Sequence, residues 1–214
     1  MINRAFLLLM ALYVSDGRCG VSVVGTRFMI DDKMQHLNIK LVNDNESDYL
    51  IKSTLDDKDF IISPPLFLLK KNSSDMITVI PKENKGQGKD KTINFTVTSI
   101  PKSTANDSIN SVAMAVRSHF KIIYRHKTLE KASLDKIIII RENNKCQLFN
   151  PSDFSFTVSV HNKNKTSDSK VINITPGEKV SLDGAGLAPS CGGWIKFYNE
   201  FNDVIYTAKS PEVQ

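Results

Sequence analysis

The residues able to do chemistry are few and poorly spaced for it. Four histidines (His36, His119, His126 and His161) form no His-Glu-x-x-His motif and no close ligand pair, and read as surface residues. The three cysteines (Cys19, Cys146 and Cys191) make no Cys-x-x-Cys, so neither a zinc site nor thioredoxin-type redox chemistry is indicated. No Gly-x-Ser-x-Gly elbow and no phosphate-cradling glycine loop is present. Asp56-Asp57-Lys58-Asp59 lacks the glycine and terminal glutamate of a calcium loop and reads as a solvated turn. The expectation is a binding protein, with no metal, no cofactor and no enzymatic activity.

The elements that carry these residues read as β throughout. Short runs rich in Val, Ile, Thr and Phe recur between Asn-, Asp- and Lys-rich turns, as in antiparallel sandwiches. The expected strands are Val21–Ile30, Leu37–Val42, Tyr49–Leu55, Leu66–Leu69, Met76–Ile80, Thr92–Ile100 and Val112–Tyr124. These seven complete one immunoglobulin-like sandwich. A polar joint at His126–Asp135 leads to a second set: Lys136–Arg141, Lys145–Phe149, Phe154–Val160, Lys170–Ile174, Glu178–Leu182, Trp194–Tyr198 and Val204–Thr207. No stretch of twelve or more residues has helical periodicity. The fold class expected is all-β, two immunoglobulin-like sandwiches in one chain of 214 residues.

The amino terminus places the protein. Arg4 precedes an apolar run from Ala5 to Val14, followed by Ser15-Asp16-Gly17, the order of a secretory signal. Ten apolar residues are too few to cross a bilayer, and no later stretch approaches the about twenty required, so no stable membrane insertion is expected. Cleavage follows Gly17 or Cys19, and the residues before Cys19 do not suit a lipoprotein signal. If residues 1–19 leave, Cys146 and Cys191 remain as an even pair in an oxidising compartment. They form either two separate buried thiols or a disulfide, and export favours the disulfide. Closing that loop would stabilise the protein by about 4 kcal/mol on the chain-entropy model.

Charge and composition exclude further classes. Hydrophobic residues make up 41% and charged residues 24%, which is ordinary for a globular protein. The 28 basic and 23 acidic side chains give a net charge of +5, which falls to +4 once the signal is removed. The positive charge is scattered apart from a cluster between Lys82 and Lys91. No basic groove interleaved with aromatics accompanies it, so nucleic acid is not an expected partner. The six Asn-x-Ser/Thr sequons reflect the abundance of Asn.

One segment stands out. Val112, Met114, Val116, Phe120, Ile122 and Tyr124 share one strand parity, interrupted only by Ser118. Ala113, Ala115, Arg117, His119, Lys121, Ile123 and Arg125 share the other. Such a strand is twice the usual length. It is either a core strand with its apolar face buried throughout, or an edge whose first half offers alternate hydrophobics to a partner.

These pieces, in order, resemble the periplasmic chaperones of the chaperone–usher pathway for fimbriae. Gly20-Val21 and Thr26-Arg27-Phe28 stand at the mature start, then Tyr49-Leu50-Ile51, Pro64-Pro65-Leu66-Phe67 and Ile100-Pro101. Phe120-Lys121-Ile122-Ile123-Tyr124-Arg125 closes the first domain, and Asn150-Pro151-Ser152 and Phe197-Tyr198-Asn199-Glu200-Phe201 are weaker matches in the second. The resemblance implies a boomerang of two domains, with a signal peptide at 1–19, an N-terminal domain at 20–127, a linker at 128–135 and a C-terminal domain at 136–214. It implies location in the periplasm of a Gram-negative bacterium. It implies fimbrial (pilin) subunits and an outer-membrane usher as partners. It also assigns roles: Arg27 and Lys121 would anchor the pilin's C-terminal carboxylate, and Val112, Met114 and Val116 would be donor-strand hydrophobics. Arg125, Asp90 and Glu200 would form an interdomain salt bridge.

The sequence departs from the family's pattern at several of these positions. Asp90 stands where Glu is usual, Glu200 where Asp is usual, Thr96 where Asn is usual and His126 where Pro is usual. The Cys146–Cys191 pair marks a subgroup. The short polar connection from Pro101 to Ile109 resembles the class with a short loop before the donor strand. The runner-up, from a different class of function, is an exported two-domain immunoglobulin-like adhesion or receptor module, which co-expression with candidate pilins would separate from a chaperone.

Overall fold

The computed structural model describes residues 20–31, 33–82, 88–102, 114–143, 145–162, 165–182, 191–199 and 201–210. Its first half is a sandwich of two sheets. One takes β1 (Val21–Val23), β3 (Leu37–Asn43), β7 (Ser73–Pro81) and β5 (Phe60–Ser63), in the order β1-β3-β7-β5. The other takes β2 (Arg27–Asp31), β4 (Tyr49–Leu55), β6 (Leu66–Leu69), β8 (Lys91–Pro101) and β9 (Val116–Arg125), in the order β2-β9-β8-β4-β6. Alternation drives the packing. On β8, Ile93, Phe95, Val97 and Ser99 are buried between the sheets, and the residues between them lie on the other face. Phe28, Phe95 and Phe120 meet edge-on or tilted at ring-centroid distances of 5.9–6.5 Å.

Two departures from the sequence reading have local causes. The expected single strand Val21–Ile30 is two strands in two sheets: β1 pairs antiparallel with β3, and β2 pairs parallel with β9. The crossing is at Gly25, whose φ of +111° excludes ordinary side chains. A Cβ there would also stand 3.0 Å from the Phe28 ring. The strand β5 was absent from the expected set. It pairs with β7 nonetheless and ends at the cis Ser63–Pro64 bond.

The second half repeats the architecture. One sheet is β10 (Ile138–Glu142), β11 (Lys145–Phe149) and β14 (Lys179–Ser181), in the order β10-β11-β14. The other is β12 (Phe156–Asn162), β13 (Lys165–Ile174), β15 (Gly193–Tyr198) and β16 (Val204–Ser210), in the order β13-β12-β15-β16. Leu148, Val158, Val160, Ile195 and Phe197 fill the core between them. Cys146 on β11 is disulfide-bonded to Cys191, two residues before β15, so the crosslink ties one sheet to the other.

The segment joining the halves is not a free tether. It contains one helical turn, α1 (Lys131–Leu134), which the strand-only reading did not include. Leu134 is buried in the second core, the Tyr206 hydroxyl donates to the Asp135 carboxylate, and the Lys131 ammonium lies over the Tyr206 ring. The joint is thereby hooked onto β16.

Candidate functional site

A cleft of about 360 Å³ lies between the halves. Arg27, Thr92, His119, Phe120 and Lys121 line it from the first half, and Ser155, Thr157, Asn173 and Thr175 from the second. Arg27 and Lys121, 94 residues apart in sequence, are direct register partners in the parallel β2–β9 pair. Two cations thus stand side by side at the mouth of the joint. Lys121 is exposed and makes no ion pair among the described residues. Burial pulls the Arg27 guanidinium below the ordinary arginine value, partly offset by the Tyr198 hydroxyl. It remains a cation at any physiological pH.

That register also decides what β9 leaves open. Antiparallel pairing with β8 runs from Val116, opposite Ser99, to Tyr124, opposite Lys91. Pairing with β2 covers only Lys121 to Arg125. Residues 116–120 therefore have a strand on one side only. The apolar parity emerges from the core over the same stretch: Ile122 and Tyr124 are fully buried, Phe120 is half-buried, and Val116 and Met114 are 57% and 74% exposed. The strand begins at Val116, and Met114 precedes it. Val112 lies outside the described residues.

The two halves are clamped beside the cleft. The Arg125 guanidinium donates to the Asp90 carboxylate through Nε (3.0 Å) and Nη2 (2.8 Å), and Nη2 also donates to the Ser155 carbonyl. The Ser155 N–H donates to the same carboxylate at 2.8 Å, and the Asp90 N–H donates to the Asp153 carbonyl at 2.7 Å. Arg125 also lies over the Phe154 ring at 5.3 Å. A shorter Asp in place of the family's usual Glu still reaches its arginine. Glu200 lies outside the described residues. An exposed pair, Lys127–Asp153, flanks the clamp at 3.2 Å.

A second contact across the joint had no signal in the sequence reading. Arg27 Nη1 donates to the Asn199 carbonyl at 3.3 Å and to Asn202 Oδ1, both in the turn between β15 and β16. The Asn199 side chain organises that turn by accepting from the N–H groups of Phe201 and Asp203. Asn202 has φ +68°, a conformation Asn tolerates better than most residues. The Asn-x-x-Asn-Asp spacing marks a turn, but nothing local ties it to an arginine 172 residues away.

His119 lines the cleft and its Nδ1 is 3.1 Å from Thr96 Oγ1. His36, His126 and His161 do not line it. On the outer face of the second half, Ser159 Oγ lies 2.8 Å from both His161 Nε2 and the Tyr198 hydroxyl. Burial, and then the Lys196 charge, hold His161 below its ordinary value. The acidic turn carries Lys91, whose ammonium is 2.6 Å from Asp57 and 2.8 Å from Asp59. Among the described residues, no three His, Cys, Asp or Glu side chains are placed to hold a metal, and no helix is long and apolar enough to cross a membrane.

A two-sandwich chain with a cationic joint and a half-open strand beside it has the form of an assembly chaperone. Residues 20–130 match the model of the pili and flagellar-assembly chaperones, PapD N-terminal domain, and the chain belongs to this family of the chaperone–usher pathway. The chain is 27% identical over 220 residues to the chaperone protein FocC of Escherichia coli, covering 96% of this chain and 94% of the relative. Over 187 residues it is 27% identical to the chaperone protein MrkB of Klebsiella pneumoniae, covering 77% and 80%. Among solved structures, the periplasmic chaperone SfaE matches with a TM-score of 0.69 at 22% identity, over 90% of this chain and 100% of that one. A chain of the Salmonella enterica SafA pilin–SafB chaperone complex matches with a TM-score of 0.74 at 13% identity, over 92% and 98%. The fold is that of the two-domain pilus chaperones, with immunoglobulin-like sandwiches. The family is one of chaperones, not of enzymes.

Proposed function

We propose that this protein is a periplasmic chaperone that binds, folds and caps fimbrial subunits by lending them β9, and then delivers them to an outer-membrane usher. The observation that carries the reading is the half-open strand. Over residues 116–120 the backbone of β9 has a vacant side, Met114 and Val116 are exposed beyond the end of the core, and the vacancy ends at the Arg27–Lys121 pair. A subunit strand laid along that side would complete its hydrogen-bond ladder against β9. Val112, Met114 and Val116 would fill successive pockets of the subunit, each worth about 1.5–3 kcal/mol when fully buried. The subunit's terminal carboxylate would sit between the two cations, with charge-assisted hydrogen bonds fixing its position.

The disulfide between Cys146 and Cys191 and the family's periplasmic setting support the location, with residues 1–19 acting as a cleaved signal. Relatives in complexes with a pilin and with a tip adhesion subunit support the partner class. The arrangement of domains at 20–127 and 136–214 with a linker at 128–135 belongs to the same reading.

The test is co-expression with a fimbrial subunit and recovery of the complex from the periplasm. Lys121→Ala and Arg27→Ala should each lose about 2–5 kcal/mol of binding, because the carboxylate is left incompletely paired. Wild-type recovery of the subunit by both variants would refute the anchor.

A further inference from the structure

We infer that Asn202 is a positioning residue for the carboxylate anchor: it holds the Arg27 guanidinium so that one edge stays free for the ligand. The inference rests on the proposed function and names a determinant of specificity at that same site.

A guanidinium has two ways to grip a carboxylate with two parallel bonds. Its two Nη atoms can grip end-on, or Nε and Nη2 can grip side-on. In this protein Nη1, which carries two hydrogens, has two acceptors already: the Asn199 carbonyl and Asn202 Oδ1. Nη1 lies on the Cδ side of the guanidinium plane, so tying it down removes the end-on grip. The Nε–Nη2 edge is left whole, and among the described residues neither atom makes a hydrogen bond. Arg125 grips Asp90 through this same Nε–Nη2 edge.

The holding residues are braced by hydrogen bonds of their own. Asn199 Oδ1 accepts two backbone N–H groups, Asn199 Nδ2 donates to Asp203, and the Asn199 N–H donates to the Asp203 carbonyl. Arg27 is on the first half of the molecule and its holder on the second. A fixed arginine loses less rotamer freedom on binding than a free one, and it favours a planar two-oxygen ligand over a neutral amide. Without Asn202 the guanidinium would keep its charge but not its aim.

Asn202→Gly separates these effects, since glycine adopts φ +68° freely and removes only the side-chain amide. The probe is a synthetic peptide of alternating apolar residues, prepared once with a free C-terminal carboxylate and once as the carboxamide, and titrated against the full mature chain. Wild type should prefer the carboxylate by at least about thirtyfold, the lower end expected for losing a buried charged partner. In Asn202→Gly that preference should fall about tenfold, with the carboxamide binding unchanged and the melting temperature preserved. A preference equal to that of wild type would overturn the inference. So would an equal loss for both peptides, which would mark a purely structural role. If wild type binds neither peptide or binds both equally, the carboxylate anchor itself fails and the inference falls with it.

Discussion

Replacing Asp90 with alanine should separate the clamp's ion pair from its backbone contacts. The carboxylate is 1% exposed and its arginine 13% exposed, so this is a buried pair in which water cannot replace a lost partner. Asp90 accepts from Arg125 Nε and Nη2 and from the Ser155 N–H. Asp90→Ala strands all three donors, while the Asp90 N–H to Asp153 bond survives because it is backbone. Breaking a buried pair from one side costs about 3–5 kcal/mol, a figure that includes the about 1–3 kcal/mol of an orphaned amide. For a chain of this length each kcal/mol moves the melting temperature by about 2–4 °C, so the loss should be about 6–20 °C. Scanning calorimetry of the mature protein measures it, and Asp90→Asn should fall between wild type and alanine because one oxygen remains to accept from Ser155. If Asp90→Ala melts within about 2 °C of wild type, the reasoning is wrong. The joint would then be held by packing and backbone contacts alone.

Met114→Glu should leave the melting of the free protein within about 1 °C, since the residue is mostly exposed, yet abolish subunit capture by placing a carboxylate in an apolar pocket; melting beside a pull-down decides it. Mass spectrometry of the non-reduced protein should find Cys146 joined to Cys191 and no Cys19, and Cys191→Ser should cost about 2–5 kcal/mol in the second half alone. His161 should titrate below the ordinary histidine range, and Lys196→Ala should raise its midpoint when followed by NMR. A depressed folded-state value means that the neutral ring's contribution to stability is complete above about pH 6.5 and is lost as pH falls towards the folded-state value. His161→Gln should flatten that acid slope.

Local patterning made much of this fold legible. Alternation places the faces of β8 and of Ile122 and Tyr124 on β9, because burial follows the period of two directly. The split between β1 and β2 was not legible, since a glycine crossing keeps apolar residues on both sides and leaves no gap in the pattern. β5, absent from the expected strands, runs up to a proline, which is a break signal at sequence level but only an end in the structure. In the cleft, the neighbourhood of Arg27 and Lys121 came from family resemblance, not from spacing. Parallel pairing between the second and ninth strands leaves no short-range trace. The grip of Asn199 and Asn202 on Arg27 was invisible for the same reason, compounded by a turn whose residues suit any hairpin.

Because β2 stops covering β9 at Lys121, the strand has a fixed zero mark. From Lys121 to Val116 is about 17 Å of extended chain, and each inward side chain marks off a further step of about 7 Å. Inserting one residue between Arg117 and Lys121 would swap the faces, turning Val116 and Met114 outwards and Arg117 inwards. Inserting two would restore the phase and move every side chain one step along. If subunits differ in how far their grooves lie from their last residue, a chaperone could tell them apart by counting residues from the anchor, without altering a single contact chemistry.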